Sequence, residues 1–203
     1  MNKYFIQVKL KHAEVFYCED FFDDDISKYL YEKLNEEIKW EVFKVKVAGN
    51  IFNQPRKSCY IADENKVYTY SGFDRIPERW TETLTILREN VQQILNSFEE
   101  NKELKINAVL CNKYENGNDN IGFHSDDERD LISSYIISFS FGSERDFILK
   151  SKRDDEKISI PLKSGSVVVM GKNCQKNYLH SIPKRLRVKE PRINLTFRCV
   201  RNR

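Results

Sequence analysis

Histidine is scarce in this chain: of 203 residues only His12, His124 and His180 carry imidazole. His124 stands in GFHSDDE, two residues before Asp126, and in extended backbone side chains at i and i+2 leave the same face. An imidazole and a carboxylate so placed can grip one ion. A second imidazole from a distant strand completes the two-histidine, one-carboxylate facial triad, which holds Fe(II) with coordination positions left open. His180, in NYLHSIP, is the distant histidine that fits. The same donors would suit a zinc hydrolase, and a hydrogen-bonded surface histidine also yields an HxD string.

The segment RINLTFRCV adds independent information. Ile193, Leu195, Phe197 and Cys199 alternate with Arg192, Asn194, Thr196 and Arg198, so a strand here has one apolar and one strongly polar face. A half-exposed strand would look the same. If the polar face points into a barrel, its arginines need anionic partners, because an unpaired buried guanidinium is very costly. A small dicarboxylate supplies them, and the planar guanidinium fork pairs bidentately with a carboxylate. Arg192 and Arg198 are about 20 Å apart along a strand, which argues against their sharing one carboxylate.

These residues need elements to position them. Ile26, Leu30, Leu34 and Ile38 recur at every fourth place behind Asp23, Asp24 and Asp25, which predicts an amphipathic helix with acids at its N-terminal end. Leu84, Leu87, Val91, Ile94, Leu95 and Phe98 predict a second helix over 80–98. After the charged stretch 99–103 the period shortens. Short strands are expected at 104–111, 134–141, 145–149, 158–162, 166–170 and 192–200, separated by Gly, Asn, Asp or Lys-rich turns. Helices followed by strands argue α+β, with a sandwich, jelly roll or barrel in the second half.

Composition excludes several classes. Hydrophobic residues make up 40% and charged residues 32%, with 7 Gly and 5 Pro, which fits neither disorder nor a fibrous repeat. There is no apolar run of membrane-spanning length and no secretory signal pattern. The expectation is therefore an intracellular monomer with no membrane partner, nuclear in a eukaryote and cytoplasmic otherwise. Five widely spaced cysteines suggest reduced, buried thiols rather than a disulfide framework or a CxxC zinc site. Residues 171–203 hold ten Lys and Arg against the single acid Glu190, although the whole chain is only +3. That lopsidedness favours a polyanionic partner at the C-terminal part, or else a solvated basic surface.

INAVLCNKYENGNDNIGFHSDDERDL, IISFSFGSERDF, SGSVVVM, NYLHSIP and PRINLTFR occur in the order and approximate spacing of the AlkB-like Fe(II)- and 2-oxoglutarate-dependent dioxygenases. Within that family the chain most resembles the animal homologues that repair alkylated bases in duplex DNA. The resemblance implies a double-stranded β-helix (jelly roll) core over 104–203. N-terminal helices and a nucleotide-recognition lid would occupy 1–103, the whole forming one structural unit. It implies iron on His124, Asp126 and His180. Asn112, Tyr114, Arg192, Thr196 and Arg198 would surround 2-oxoglutarate, with Arg192 on its distal carboxylate. The implied reaction is oxidative demethylation of 1-methyladenine or 3-methylcytosine type bases, releasing formaldehyde, succinate and CO2.

The resemblance also puts Ala48, Gly49, Asn50, Arg56, Tyr68, Thr69, Tyr70 and Asp127 at the substrate. Tyr68 and Tyr70 would lie against an extracted base, Asp127 at its polar edge, and Arg56 near backbone phosphate. The bland alternatives are tyrosines packed under the lid and solvated charges. Ala48 falls where the duplex-acting homologues carry a bulky finger that refills the stack. Either Ile51 or Phe52 supplies that wedge, or single-stranded DNA or RNA is preferred. A demethylase acting on RNA or protein, and a non-catalytic nucleic-acid-binding jelly roll, are the alternative readings.

Overall fold

The structure, a computed structural model, describes residues 5–47, 49–64, 66–70, 73–100 and 102–201. In chain order the elements are β1 (Ile6–Gln7), β2 (Val15–Cys18), α1 (Asp24–Glu37), β3 (Lys44–Val47), β4 (Asn50–Asn53), β5 (Lys57–Ala62), β6 (Tyr68–Tyr70), β7 (Phe73–Arg75) and α2 (Glu82–Phe98). There follow β8 (Ala108–Tyr114), β9 (Ile121–His124), β10 (Ile136–Gly142), β11 (Arg145–Ser151), β12 (Lys157–Leu162), β13 (Val167–Met170), α3 (Cys174–Asn177), β14 (Tyr178–Ile182) and β15 (Arg192–Arg198).

Two antiparallel sheets face each other, one of seven strands in the order β1-β2-β13-β10-β15-β8-β5 and one of four in the order β12-β11-β14-β9. This is the double-stranded β-helix, with α1 and α2 laid on the outside of the larger sheet. The division at 103/104 does not separate the layers, because β1, β2 and β5 are strands of the larger sheet. Hairpins β3–β4 and β6–β7 stand apart as small two-stranded sheets.

The helices form where their apolar spacing predicts. Asp23 caps α1 by accepting from the Ile26 amide, and Thr81 caps α2 by accepting from the Leu84 amide, which satisfies N–H groups that a helix start leaves open. Leu30 and Leu34 of α1, with Leu84, Leu87, Val91, Ile94 and Leu95 of α2, bury against Ile137, Phe139, Phe141, Ile193, Leu195 and Phe197. The apolar face of β15 therefore belongs to the helices, so its polar face points inward between the sheets. All seven residues of β15 are buried, Arg192 at 1% and Arg198 at 3% exposure.

Several strand bounds differ from the spacing-based expectation. Residues 104–107 are irregular because the Asn107 side chain holds the backbone of Val200 from both sides, by Nδ2 to O and Oδ1 from N. The strands β9 and β14 carry His124 and His180, as the HxD spacing and the distant-strand histidine required, though their bounds were not among the expected strands. All five cysteines are buried, and none is joined in a disulfide. No helix among the described residues is long and apolar enough to cross a membrane.

Leu34 is fully buried between the helices and the sheet. Leu34→Ala should cost about 2–5 kcal/mol, the range for deleting a buried leucine side chain. Urea unfolding should show a lower midpoint at unchanged slope.

Candidate metal and 2-oxo acid site

The inward face of β15 lines a cavity between the sheets together with β8, β9, β10 and β14. Its walls include Asn112, Tyr114, His124, Asp126, His180, Arg192, Asn194, Thr196 and Arg198. The sequence-derived metal and cosubstrate residues are thus brought together in one place.

Register explains the histidines: His180 on β14 pairs directly with His124 on β9, and their ring centroids are 4.2 Å apart. One potential ligand atom from each of His124, Asp126 and His180 lies within 4.8 Å of the others. Asp126 follows the end of β9, where its amide donates to Gln175 Oε1 at 2.8 Å. That anchor turns the carboxylate inward without a continuous strand. His124 Nδ1 lies 2.9 Å from the Gly122 carbonyl, which favours the tautomer with Nδ1–H donating and leaves Nε2 as a lone pair toward Asp126, 3.7 Å from Oδ1.

Electrostatics keep all three ligands deprotonated. Burial pushes the Asp126 carboxyl up, but the Arg198 guanidinium, the largest opposing influence, outweighs it and holds it at about 2. Arg198 Nη2 donates to Asp126 Oδ2 at 2.7 Å, both groups being almost wholly buried. Burial pulls His180 down to about 3 and also lowers His124. His180 Nδ1 is buried with no hydrogen-bond partner among the described residues. Neutral imidazoles beside an ionised carboxylate are what a divalent cation requires.

The other half of the cavity is built for an anion. Arg192 donates Nη2 to Ser140 Oγ at 2.9 Å, while Nε and Nη1 are buried without a hydrogen-bond partner among the described residues. Burial pulls its pKa down to about 10, with Tyr114 acting the other way. The Asn112 carbonyl oxygen accepts from Arg56 Nε at 2.9 Å and from Ser58 Oγ at 2.8 Å. Those two donors fix the amide, so its NH2 is the end left to donate. Thr196 Oγ1 donates to Asn194 Oδ1 at 3.1 Å, and Asn194 is in turn held by Ser138 and the Phe139 carbonyl.

Other expected residues divide. Arg56 is buried at 6% exposure and donates to Asn112 Oδ1 and to the Asn120 carbonyl, so it braces the cavity wall. Arg198 is committed to Asp126, on the metal side of the cavity. Asp127 is exposed and accepts from Ser125 Oγ. Gly49 (φ +84°) and Asn50 form the exposed tip of the β3–β4 hairpin. Ala48, and the side chains of Tyr68, Thr69 and Tyr70 on β6, lie outside the described residues. The basic C-terminal part is partly internal, since Arg192 and Arg198 are buried and Arg185 pairs with Glu144. Lys184, Arg187 and Lys189 are exposed. Gln175 and Ser140 are functional neighbours that residue spacing did not single out; neither stands in a recognisable motif.

A jelly roll holding two histidines and one carboxylate beside a buried anion site defines a mononuclear-metal oxygenase that takes a 2-oxo acid. The chain belongs to the 2OG-Fe(II) oxygenase superfamily, whose family model matches residues 14–198. Within it the chain is AlkB-like, and its cofactors are Fe(II) and 2-oxoglutarate. It is 35% identical over 183 residues to DNA oxidative demethylase ALKBH2 of Mus musculus, covering 84% of this chain and 74% of that protein. It is 32% identical over 192 residues to alpha-ketoglutarate-dependent dioxygenase alkB homolog 3 of Homo sapiens, covering 89% of this chain and 64% of that protein. Among solved structures, OsALKBH1 superposes with a TM-score of 0.65 at 17% identity, covering 96% of this chain and all of that one, and shares the fold.

Arg198→Met should leave Asp126 buried without its main cationic partner, so burial raises the carboxyl pKa and protons compete with metal. Mn(II) affinity should fall about 10–100-fold, the range for losing such a supporting partner. The deficit should widen as pH drops, because in the variant protons compete with the metal for Asp126, which Arg198 holds at about 2 in the parent. Equilibrium dialysis across a pH series measures it.

Proposed function

We propose that the chain is a DNA oxidative demethylase that removes N-methyl groups of the 1-methyladenine and 3-methylcytosine type. The observation carrying this reading is the single cavity in which the His124, Asp126 and His180 donors lie beside the unpartnered N–H groups of Arg192. The names of the relatives supply the substrate class. When bound, Fe(II) with 2-oxoglutarate and O2 supplies the oxidising power to hydroxylate the methyl carbon, with succinate, CO2 and formaldehyde as products.

The protein's own residues bind and orient. His124, Asp126 and His180 would hold the metal, leaving coordination positions open for cosubstrate and oxygen. Arg192 receives the distal carboxylate of 2-oxoglutarate through Nε and Nη1, and the Asn112 NH2 and Tyr114 hydroxyl donate to cosubstrate oxygens. Thr196 borders the same anion from β15. Arg198 serves this site by fixing Asp126. Asp127, exposed next to the ligand Asp126, would accept from the exocyclic amino edge of an extruded adenine or cytosine. Exposed Lys184, Arg187 and Lys189 suit the phosphate backbone.

The lid also carries a wedge. Ile51 and Phe52 on β4 are 59% and 53% exposed and, being adjacent on a strand, leave opposite faces of the hairpin, so one of them, Phe52 as the bulkier, is the wedge. Inserted between base steps, it would offset part of the few kcal/mol of unstacking that extruding a base from a duplex costs.

Incubation with Fe(II), 2-oxoglutarate and a methylated oligonucleotide should yield succinate and formaldehyde in equal amounts. His124→Ala, Asp126→Ala and His180→Ala should each abolish both products while the fold persists by circular dichroism. A ligand variant with near-parental turnover would sink the assignment.

Phe52→Ala should lower kcat/KM on duplex by about tenfold, equivalent to about 1.4 kcal/mol of lost unstacking compensation, and leave single-stranded substrate nearly untouched. Matched oligonucleotides give the ratio. Equal loss on both would place Phe52 outside the stack.

A further inference from the structure

Arg145 opens β11 and is fully buried, yet its guanidinium reaches only backbone carbonyls. Nη1 donates to Asn116 O at 3.3 Å, and Nη2 to Asp119 O at 2.8 Å and Pro183 O at 2.6 Å. Its Nε has no partner among the described residues. Burying a cation without a paired carboxylate is expensive, and a neutral donor could satisfy those carbonyls. Arg145 does not itself line the cavity, but its guanidinium lies over the Tyr114 ring, 5.6 Å from the centroid, and that of Arg192 lies over the same ring at 5.2 Å. Tyr114 is a cavity wall. Two buried cations thus share one tyrosine, and each disfavours the charge of the other; Arg145 is among the groups depressing Arg192.

We propose that Arg145 is a positioning residue for the distal carboxylate of the cosubstrate. It fixes Tyr114 and places a second buried positive charge behind Arg192, so that the cavity selects a dicarboxylic 2-oxo acid over a monocarboxylic one. This rests on the reading that Arg192 receives that carboxylate. Without the anion the two guanidinium groups repel each other; with it, one negative charge interacts favourably with both. The three carbonyl bonds serve the same end. They tie the loop before β9 to the residue after β14, and Gly117 in that loop packs so closely on the Arg185 carbonyl that any added Cβ would collide with it. The second charge is therefore held rigidly.

The test uses Mn(II)-loaded full-length protein and calorimetric binding of 2-oxoglutarate and 2-oxovalerate, which has the same carbon chain but no distal carboxylate. Arg145→Gln should weaken 2-oxoglutarate about tenfold, the factor that a unit charge about 10 Å away supplies at an effective dielectric of about 20. It should leave 2-oxovalerate and Mn(II) binding unchanged. Arg145→Lys, which keeps the charge, should stay within about threefold of the parent's preference for 2-oxoglutarate. A merely structural arginine predicts equal loss for both acids and for metal, and that result, or no loss at all, overturns the proposal. If Arg145→Gln does not fold, collapse of the preference in Arg145→Lys overturns it. Arg192→Gln is the separate arm. If that variant keeps the parent's preference, the cosubstrate reading itself fails; if it loses the preference while Arg145→Gln keeps it, only the role of Arg145 falls.

Discussion

The buried guanidinium of Arg192 is the constraint on which the rest of the arrangement depends. A cation that is 1% exposed with two unpartnered donors is tolerable only if its surroundings are rigid and an anion arrives. Rigidity comes from the fold. β15 is a central strand of the larger sheet, paired on both sides with β8 and β10. Its apolar face is clamped by two helices, so a one-residue slip would drive four polar side chains into the helical core. Register is thereby fixed, and with it the spacing between Arg192 at one end and Arg198 at the other.

The two ends then do different work with the same residue type. Arg198 finds its counter-charge within the protein, in Asp126, and so prepares a carboxylate that stays ionised at any working pH. Arg192 finds only a serine hydroxyl, and its charge is left for a ligand. Their separation along β15 is what lets one strand serve both a metal and a carboxylate several ångströms away. The facing sheet contributes the paired histidines, kept neutral by burial.

The helices, the polarity of β15 and the ligand set were legible in the sequence because each rests on local periodicity or a short motif. Alternation in RINLTFRCV says that one face is polar; only the packing of α1 and α2 decides which way that face turns. The HxD spacing and the distant histidine called for strands at His124 and His180, but the bounds of β9 and β14 were not legible, because they are four and five residues long and flanked by Asn, Lys and Pro. Their β character comes from pairing with each other and with β11, a tertiary effect. Arg56 was read as a surface cation since charged residues seldom bury, and the Asn112 oxygen that buries it lies 56 positions away. Arg145 gave no signal at all: its partners are carbonyls from two loops brought together only by the completed jelly roll. The cavity's chemistry was thus readable from motifs, and the supports that hold it were not.

The most direct test of the central claim is a crystal structure of the protein with Mn(II) and 2-oxoglutarate bound. The account predicts the metal on His124, Asp126 and His180, the distal carboxylate on Nε and Nη1 of Arg192, and Arg198 still paired with Asp126. Metal on any other donor set, or a cosubstrate carboxylate held away from Arg192, would contradict it.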